Sequence, residues 1–440
     1  MNAPHSSLTI RRARALAAAT LLAAAVLFVT LPAAAETLVG ASRVDITPEM
    51  PVALCGYSNP DKRISEGVHD RLYARALAFR AGPRRLVLVS CDLSGFQTVP
   101  VSIFRKDLLS RFGLQPAELI LCGTHTHSAP MLISNPVYPH PNNFAYTEAL
   151  KGKLREAVGK ALDSAAPTRL GVGVGQSDVA VNRRLPLPPN QVVPGGDRVT
   201  MGRNPEGPVD RDVLVLKVSR PDGAPVAALF DYACHSRSLR GANRLVSGDI
   251  FGIAEQFVEG VVGHGAVSPA FAGASGDIDP WYVVPGFSEE LGRTSETVRM
   301  GNSLGEEVAR VFRSVNDLSA GGDIETRWEQ LALPGKLPGA SSSAVEAPTR
   351  YVDMSAARVG EIAFLGVDCE AFVEIGKAIR KDSPFRHTFI LTNCNGGSGY
   401  LPNANAYTDG GYEVGLTGFA PQAAGIVVQN ALKMLRSLRR

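Results

Sequence analysis

Short apolar or β-branched runs alternate along the chain with stretches whose apolar residues recur at helical spacing. Leu86-Val87-Leu88-Val89, Leu119-Ile120-Leu121, Val213-Leu214-Val215-Leu216, Val226-Ala227-Ala228-Leu229-Phe230 and Ile362-Ala363-Phe364-Leu365 are near-continuous and of strand length, which predicts strands that are mostly buried. Between them Val101, Phe104, Leu108 and Phe112 keep helical spacing, and Gly113 supplies a stop. A last helix starts near Pro421, runs through Val427, Ala431, Leu435 and Leu438, and ends in Arg436, Arg439 and Arg440, cations suited to a helix C-terminus. This alternation predicts an α/β fold, with mixed β-sheets flanked by helices in one large domain over 36–440. No internal repeat or coiled-coil heptad is visible.

Two stretches break the pattern. Residues 185–208 are rich in Pro and Gly, and 333–348 include Ser341-Ser342-Ser343. Both read as long surface loops rather than linkers between domains, because candidate chemistry lies on both sides of each and such loops often shape a site's entrance.

The N-terminus changes the cellular picture. Arg11, Arg12 and Arg14 precede an apolar run from Ala15 to Leu31, and Pro32-Ala33-Ala34-Ala35 follow before Glu36. This is the pattern of a signal peptide over 1–35 with a small-residue cleavage site. The competing reading is an uncleaved membrane anchor, since the run approaches the ~20 residues a bilayer requires. An exported protein, periplasmic or secreted, is expected. The 440 residues hold 45 basic and 42 acidic side chains. Cleavage removes three arginines and no acid, so the mature chain is balanced and nothing favours nucleic acid.

Six cysteines in an exported chain permit disulfides. Cys122, Cys234 and Cys369 each fall within three residues of a candidate metal ligand, in no zinc-ribbon or knuckle spacing. They are expected to pack as small buried hydrophobes around the site, ahead of forming a disulfide and well ahead of binding metal.

Candidate chemistry gathers just after the expected strands. Gly123-Thr124-His125-Thr126-His127-Ser128 follows the strand ending at Leu121. Two histidines at i and i+2 on an extended segment point the same way and can reach one metal, or one metal and its water. Cys234-His235-Ser236 ends the strand at 226–232, and Asp368-Cys369-Glu370 follows a strand and starts a helix. Gly276-Asp277-Ile278-Asp279-Pro280 is a tight acidic turn. Gly396-Gly397-Ser398-Gly399-Tyr400 is a glycine-rich turn in which Tyr400 can approach a ligand closely. Each has a plain structural explanation: a helix cap for Glu370, Asx-turns for Asp277 and Asp279, a core hydroxyl for Tyr400. Their shared placement at strand ends is the binding edge of an α/β fold. His69 with Asp70 reads as a structural pair, Asp249 as a helix cap, and His140, His264 and His387 as surface or packing residues.

With these segments in place, the sequence resembles the neutral (non-lysosomal, alkaline) ceramidase family. The resemblance rests on Arg43-Val44-Asp45-Ile46-Thr47-Pro48, Gly67-Val68-His69-Asp70-Arg71-Leu72-Tyr73-Ala74-Arg75, Thr124-His125-Thr126-His127-Ser128, Gly276-Asp277-Ile278-Asp279-Pro280, Cys369-Glu370-Ala371-Phe372 and Gly399-Tyr400, in the family's order. It implies a catalytic domain over 36–440 that binds Zn²⁺ through His125, His235, Glu370 and Tyr400, with His127 beside the metal's water. Arg183 resembles the family's substrate-contacting arginine, and Tyr412 follows Tyr400 at the separation of the family's two active-site tyrosines. The chain departs from the family in two ways. Asp279 stands where the family's Gly-Asp-Val-Ser-Pro turn has a serine thought to contact substrate, and ceramidases proper continue into an immunoglobulin-like domain whereas this sequence ends after one helix.

The resemblance implies zinc-dependent hydrolysis of an amide in an N-acyl substrate, ceramide-like or a related lipid amide, with peripheral membrane contact giving access to it. The expected roles are a proton shuttle for His127, oxyanion stabilisation for Tyr400, and orientation of water, His127 or substrate for Asp279, whose carboxylate is expected to disfavour an anionic head group. Two alternatives stand beside this: an amidohydrolase-type barrel, which also uses His-X-His, and a degenerate relative that holds zinc or lipid without turnover.

Overall fold

The computed structural model describes residues 36–96, 98–191, 196–282, 293–336 and 348–439. The expected leader at 1–35 and parts of both expected loops lie outside them. Three consecutive stretches of chain repeat one topology. In the first, Leu38–Asp45, Tyr73–Ala81 and Arg84–Cys91 form an antiparallel series, and the helix Thr98–Phe112 carries the chain over to Leu119–Gly123, parallel to Arg84–Cys91. The second repeats this with Arg169–Gln176, Asp212–Ser219, Pro225–Tyr232, the helix Asp249–Val262 and the parallel strand Ala270–Ala272. The third does so with Ile324–Leu333, Arg350–Val359, Ile362–Val367, the helix Val373–Asp382 and the parallel strand His387–Leu391. Parallel neighbours cannot be joined by a hairpin, so each unit needs its crossover helix.

A second helix follows each parallel strand: Pro141–Asp163, Arg293–Ser314 and Ala423–Ser437. The sequence shows no repeat, yet the topology does. A strand tolerates many apolar sequences provided the face pattern survives, so the shared architecture leaves no residue signature.

The inner faces of the three sheets meet. Leu77, Leu88 and Ile120 of the first, Leu214, Leu216 and Leu229 of the second, and Phe364, Phe389 and Leu391 of the third belong to one buried cluster. The outer faces are covered by the helices, through residues such as Phe104 and Leu154, Phe251 and Leu304, and Ile375 and Val427. Burial on both faces explains the unbroken apolar runs, each fully buried Leu or Phe contributing about 1.5–3 kcal/mol relative to exposure. This is a mixed α/β architecture rather than the single closed barrel of the amidohydrolase alternative.

The three parallel strands converge at their C-terminal ends. Thr392 donates from its backbone N to Ala272 O at 2.9 Å, and Ser90 Oγ donates to Ala270 O at 2.5 Å. Cys122 and Cys394 form a disulfide between the first and third units, 272 residues apart. The expectation that Cys122 is a free packing residue is therefore corrected: its partner is a neighbour only because the sheets meet. Cys234 and Cys369 are buried and unpaired, as expected.

The expected loop at 185–208 contains a strand, Val199–Asn204, in a small sheet with Ala180–Pro186 and Ile278–Pro280. The acidic turn at 276–280 therefore ends in an edge strand. Among the described residues no helix is long and apolar enough to cross a membrane.

Candidate metal centre

The C-terminal ends of strands from all three units supply the centre. His125 follows Leu119–Gly123 with φ 63, a left-handed conformation rare for a residue with a side chain. The segment is thus kinked rather than extended, which corrects the basis on which the two histidines were expected to converge. They converge because Thr126 makes a parallel bridge with Ser236, and His127 donates from its backbone N to Ser236 O at 3.0 Å. That bridge brings His235, from the second unit, beside both. The third unit supplies Glu370 and Tyr400, register partners in the short parallel pair Glu370–Ala371 with Tyr400–Leu401. Glu370 thus starts a strand, and the helix begins only at Val373.

The nitrogen and oxygen atoms face one point. His235 Nε2 lies 3.2 Å from Glu370 Oε2, His125 Nε2 lies 3.3 Å from the same oxygen, and His127 Nε2 lies 3.5 Å from His125 Nε2. Zinc bonds of about 2.0–2.1 Å set the ligands of a tetrahedral site roughly 3.3 Å apart, so the spacing fits. His125 Nδ1 donates to Ser94 O at 2.6 Å, and His235 Nδ1 donates to Ser275 O at 2.6 Å. Carbonyls only accept, so in the neutral rings the proton is on Nδ1 and a lone pair on each Nε2 faces the carboxylate. Burial pushes His235 down to about 4 and so disfavours the imidazolium. Lone pairs on nitrogen and carboxylate oxygen at this distance repel unless a cation lies between them. The three buried histidines, joined by Glu370, are a donor set that a divalent transition metal fits.

His127 differs from its neighbours. Its Nδ1 is buried without a hydrogen-bond partner among the described residues. Burial, then the charges of His125 and His235, push its pKa well below the ordinary imidazole value. Tyr57 packs edge-on against the ring, centroids 5.1 Å apart. Gly56 lies so close that a Cβ there would meet His127 Cγ at 2.3 Å. Burial and the Glu370 charge raise the Tyr400 phenol well above its ordinary value, with Arg183 pulling the other way.

Asp279 stands apart from the roles expected for it. Its carboxylate is fully buried, with Oδ1 accepting from Arg183 Nη1 at 3.1 Å and from Arg237 Nε at 2.7 Å, and Oδ2 accepting from Arg237 Nη2 at 2.5 Å. Burial opposes its ionisation, but the two guanidiniums outweigh that and hold the carboxyl well below the usual range. The charge expected to repel an anionic group is therefore neutralised twice over. Arg183 is equally occupied: Nε donates to Glu413 at 2.7 Å, Nη2 to Gly276 O at 2.7 Å, and the guanidinium lies 5.5 Å from the Tyr400 ring centre. At 1% exposure it meets the centre through Tyr400. Tyr412 is half exposed with its ring 5.9 Å from that of Tyr400, at the rim.

His69 bonds Asp70 at 2.6 Å, and Asp70 accepts from Gly248 N at 2.8 Å, a pair that anchors the start of a helix. Asp249 accepts from Ser238 N at 3.0 Å and Leu239 N at 3.0 Å, fixing the turn beyond His235. Arg237, Glu413 and Tyr57 were not singled out from the sequence. The signal for Arg237 is its place two residues after His235; Tyr57 and Glu413 stand in no motif.

Fold and site together define an α/β protein with a buried histidine and carboxylate centre assembled at converging strand ends. The profile of neutral/alkaline non-lysosomal ceramidase, N-terminal region, matches residues 37–285. The chain belongs to this family. It is 30% identical over 262 residues to neutral ceramidase B of Dictyostelium discoideum, covering 55% of this chain and 35% of that protein. To the neutral ceramidase of Pseudomonas aeruginosa it is 28% identical over 253 residues, covering 54% of this chain and 36% of the relative. The matched stretch thus spans about a third of these relatives' length. The crystal structure of the Pseudomonas aeruginosa neutral ceramidase superposes with a TM-score of 0.76 at 20% identity, over 92% of this chain and 75% of that one. A ceramidase complexed with C2 matches with the same TM-score and coverage at 19% identity.

Proposed function

We propose that this protein is a zinc-dependent hydrolase of an amide bond in an N-acyl substrate, a lipid amide in the wider class to which ceramides belong. The observation that carries the reading is the placement of two imidazoles, each fixed by a backbone carbonyl, with Nε2 3.2–3.3 Å from the Glu370 carboxylate. Family membership supports it.

His125, His235 and Glu370 would hold the ion, with Tyr400 as the fourth candidate beside Glu370. A bound Zn²⁺ supplies polarisation of the amide carbonyl and a water nucleophile at neutral pH. The remaining tasks fall to the chain. His127, the one of the centre's three histidines whose Nδ1 is unanchored, takes the nucleophile's proton and delivers it to the leaving nitrogen. Tyr400, kept protonated by its burial, donates to the oxygen that gains charge. Arg183 positions Tyr400, while Asp279 holds Arg183 and Arg237 in place and does not handle the proton. Tyr412 and Leu416, exposed on one short helix, give the rim an apolar face suited to an acyl chain or a membrane surface. Export through the 1–35 leader would place the enzyme where such substrates occur.

The test is release of fatty acid from a panel of N-acyl compounds by the purified mature protein, before and after chelation and zinc return. Hydrolysis that chelation abolishes and zinc restores supports the reading. Stoichiometric zinc with no turnover on any amide would make the protein a binding relative instead.

A further inference from the structure

Asp279 takes Arg237 Nε and Nη2 in a bidentate fork, Nη2 also meets Met201 Sδ at 3.4 Å, and Nη1 has no partner among the described residues. The side chain is 12% exposed, against 1% for Arg183. A guanidinium locked by one carboxylate loses little further freedom on meeting a second, which suits it to planar recognition of an anion.

The Tyr57 hydroxyl is a second, independent feature. It is buried and has no hydrogen-bond partner among the described residues. A buried hydroxyl left unpaired is a cost that an acceptor on a ligand removes. Burial raises the Tyr57 phenol, and Arg237 is the strongest charge opposing that rise. Tyr57 touches the His127 ring, and His127 N donates to the O of Ser236, next in the chain to Arg237, so the two unused donors stand in one neighbourhood.

The charge count agrees. Arg183, Arg184 and Arg237 face only Asp279 and Glu413 within this network, a surplus of one positive charge. Arg63 lies over the Tyr57 ring, 4.7 Å from its centre, with the buried Asp249 as the opposing charge near that phenol. A neutral amino alcohol gives these groups nothing to neutralise. A carboxylate does.

We propose that Arg237 Nη1 and Tyr57 Oη bind a carboxylate on the amine portion of the substrate, so that the site selects N-acyl amino acids over uncharged N-acyl amines. The amine side is assigned because the donors adjoin His127, the group that protonates the leaving nitrogen. Water adds across the C–N bond, giving a fatty acid and a free amino acid. The inference rests on the amide-hydrolase reading for its chemistry, but the carboxylate site is measurable without turnover.

The experiment has a binding arm and a kinetic arm on the zinc-loaded mature protein. For binding, titration calorimetry compares a long-chain γ-keto acid, in which CH₂ replaces the amide NH of an N-acylglycine, with its carboxamide. The wild type is expected to bind the acid at least about tenfold more tightly, and Arg237→Gln to abolish that ratio. For kinetics, the ratio of kcat/KM for N-lauroylglycine over N-lauroylethanolamine is expected to fall by about tenfold or more in Arg237→Gln, through KM for the acid. Tyr57→Phe should lower the same ratios by a smaller factor. Should Arg237→Gln fold poorly with Asp279 half unpaired, the pair Arg237→Gln with Asp279→Asn removes both charges and carries the same expectation.

Equal binding of acid and carboxamide by the wild type, or equal weakening of both by Arg237→Gln, overturns the proposal. Turnover of amides without acid preference would sink this inference and leave the hydrolase reading standing. Acid-selective binding that depends on Arg237, without turnover of any amide, would do the reverse.

Discussion

Glu370 lies directly opposite Tyr400 in a parallel pair, so two residues from separate turns are held side by side. Residue pairing, not proximity in sequence, sets Tyr400 beside the carboxylate that His125 and His235 face. Tyr400→Phe keeps the ring and the pairing and removes only the hydroxyl. Its kcat on an N-acyl amide is expected to fall by ~10²–10³-fold. Unchanged kcat would remove Tyr400 from the chemistry.

The three histidines should separate in a metal assay. His125→Ala and His235→Ala each delete an anchored ring facing Glu370 and should lose zinc, as read by plasma mass spectrometry after dialysis. His127→Ala should retain zinc and lose ~10²–10⁴-fold in turnover. Loss of zinc from His127→Ala would instead make it a ligand, a role its 3.5 Å approach to His125 Nε2 also permits.

Joining the first and third units, the Cys122–Cys394 disulfide closes a loop of 272 residues. Replacing both cysteines by serine, or reducing the bond, should lower the unfolding free energy by ~2–4 kcal/mol in urea titrations. Zinc affinity should fall as well, because the same crossing ties the His125 segment to the chain leading to Tyr400: Asn395 N donates to Leu121 O at 2.7 Å. Unaltered stability would mean that the strand-end hydrogen bonds hold the units without it.

Burial pushes Asp277 up to about 7, where an unfolded aspartate titrates near 3.9. The raised folded value means that the native state keeps a proton the unfolded chain releases. Asp277 therefore favours the fold below pH 4, and that contribution is lost as pH rises through about 7, where a buried carboxylate must ionise. Asp277→Asn removes the titration. Between about pH 4 and 7, the unfolding free energy of the wild type minus that of the variant should fall with rising pH, by at most about 1.4 kcal/mol per pH unit. A flat difference would show that Asp277 titrates normally.

The candidate site is legible in the sequence wherever a chemical group sits at the end of an apolar run. His125, His127, His235, Glu370 and Tyr400 all carry that mark, and so does the α/β class, because strands buried on both faces must be apolar throughout. What the sequence could not decide depends on contacts between units far apart in the chain. The threefold topology, the Cys122 partner, the kink at His125 and the fate of Asp279 belong here. A lone aspartate in an acidic turn reads as a free carboxylate. Only the approach of Arg183 from a strand and of Arg237 from the segment just beyond His235 turns it into the buried centre of an ion-pair network. Local pattern fixes which groups are present, since each residue's preference is its own. Which of those groups is free to act is decided by tertiary neighbours, because hydrogen bonds and charges are satisfied in space and not along the chain.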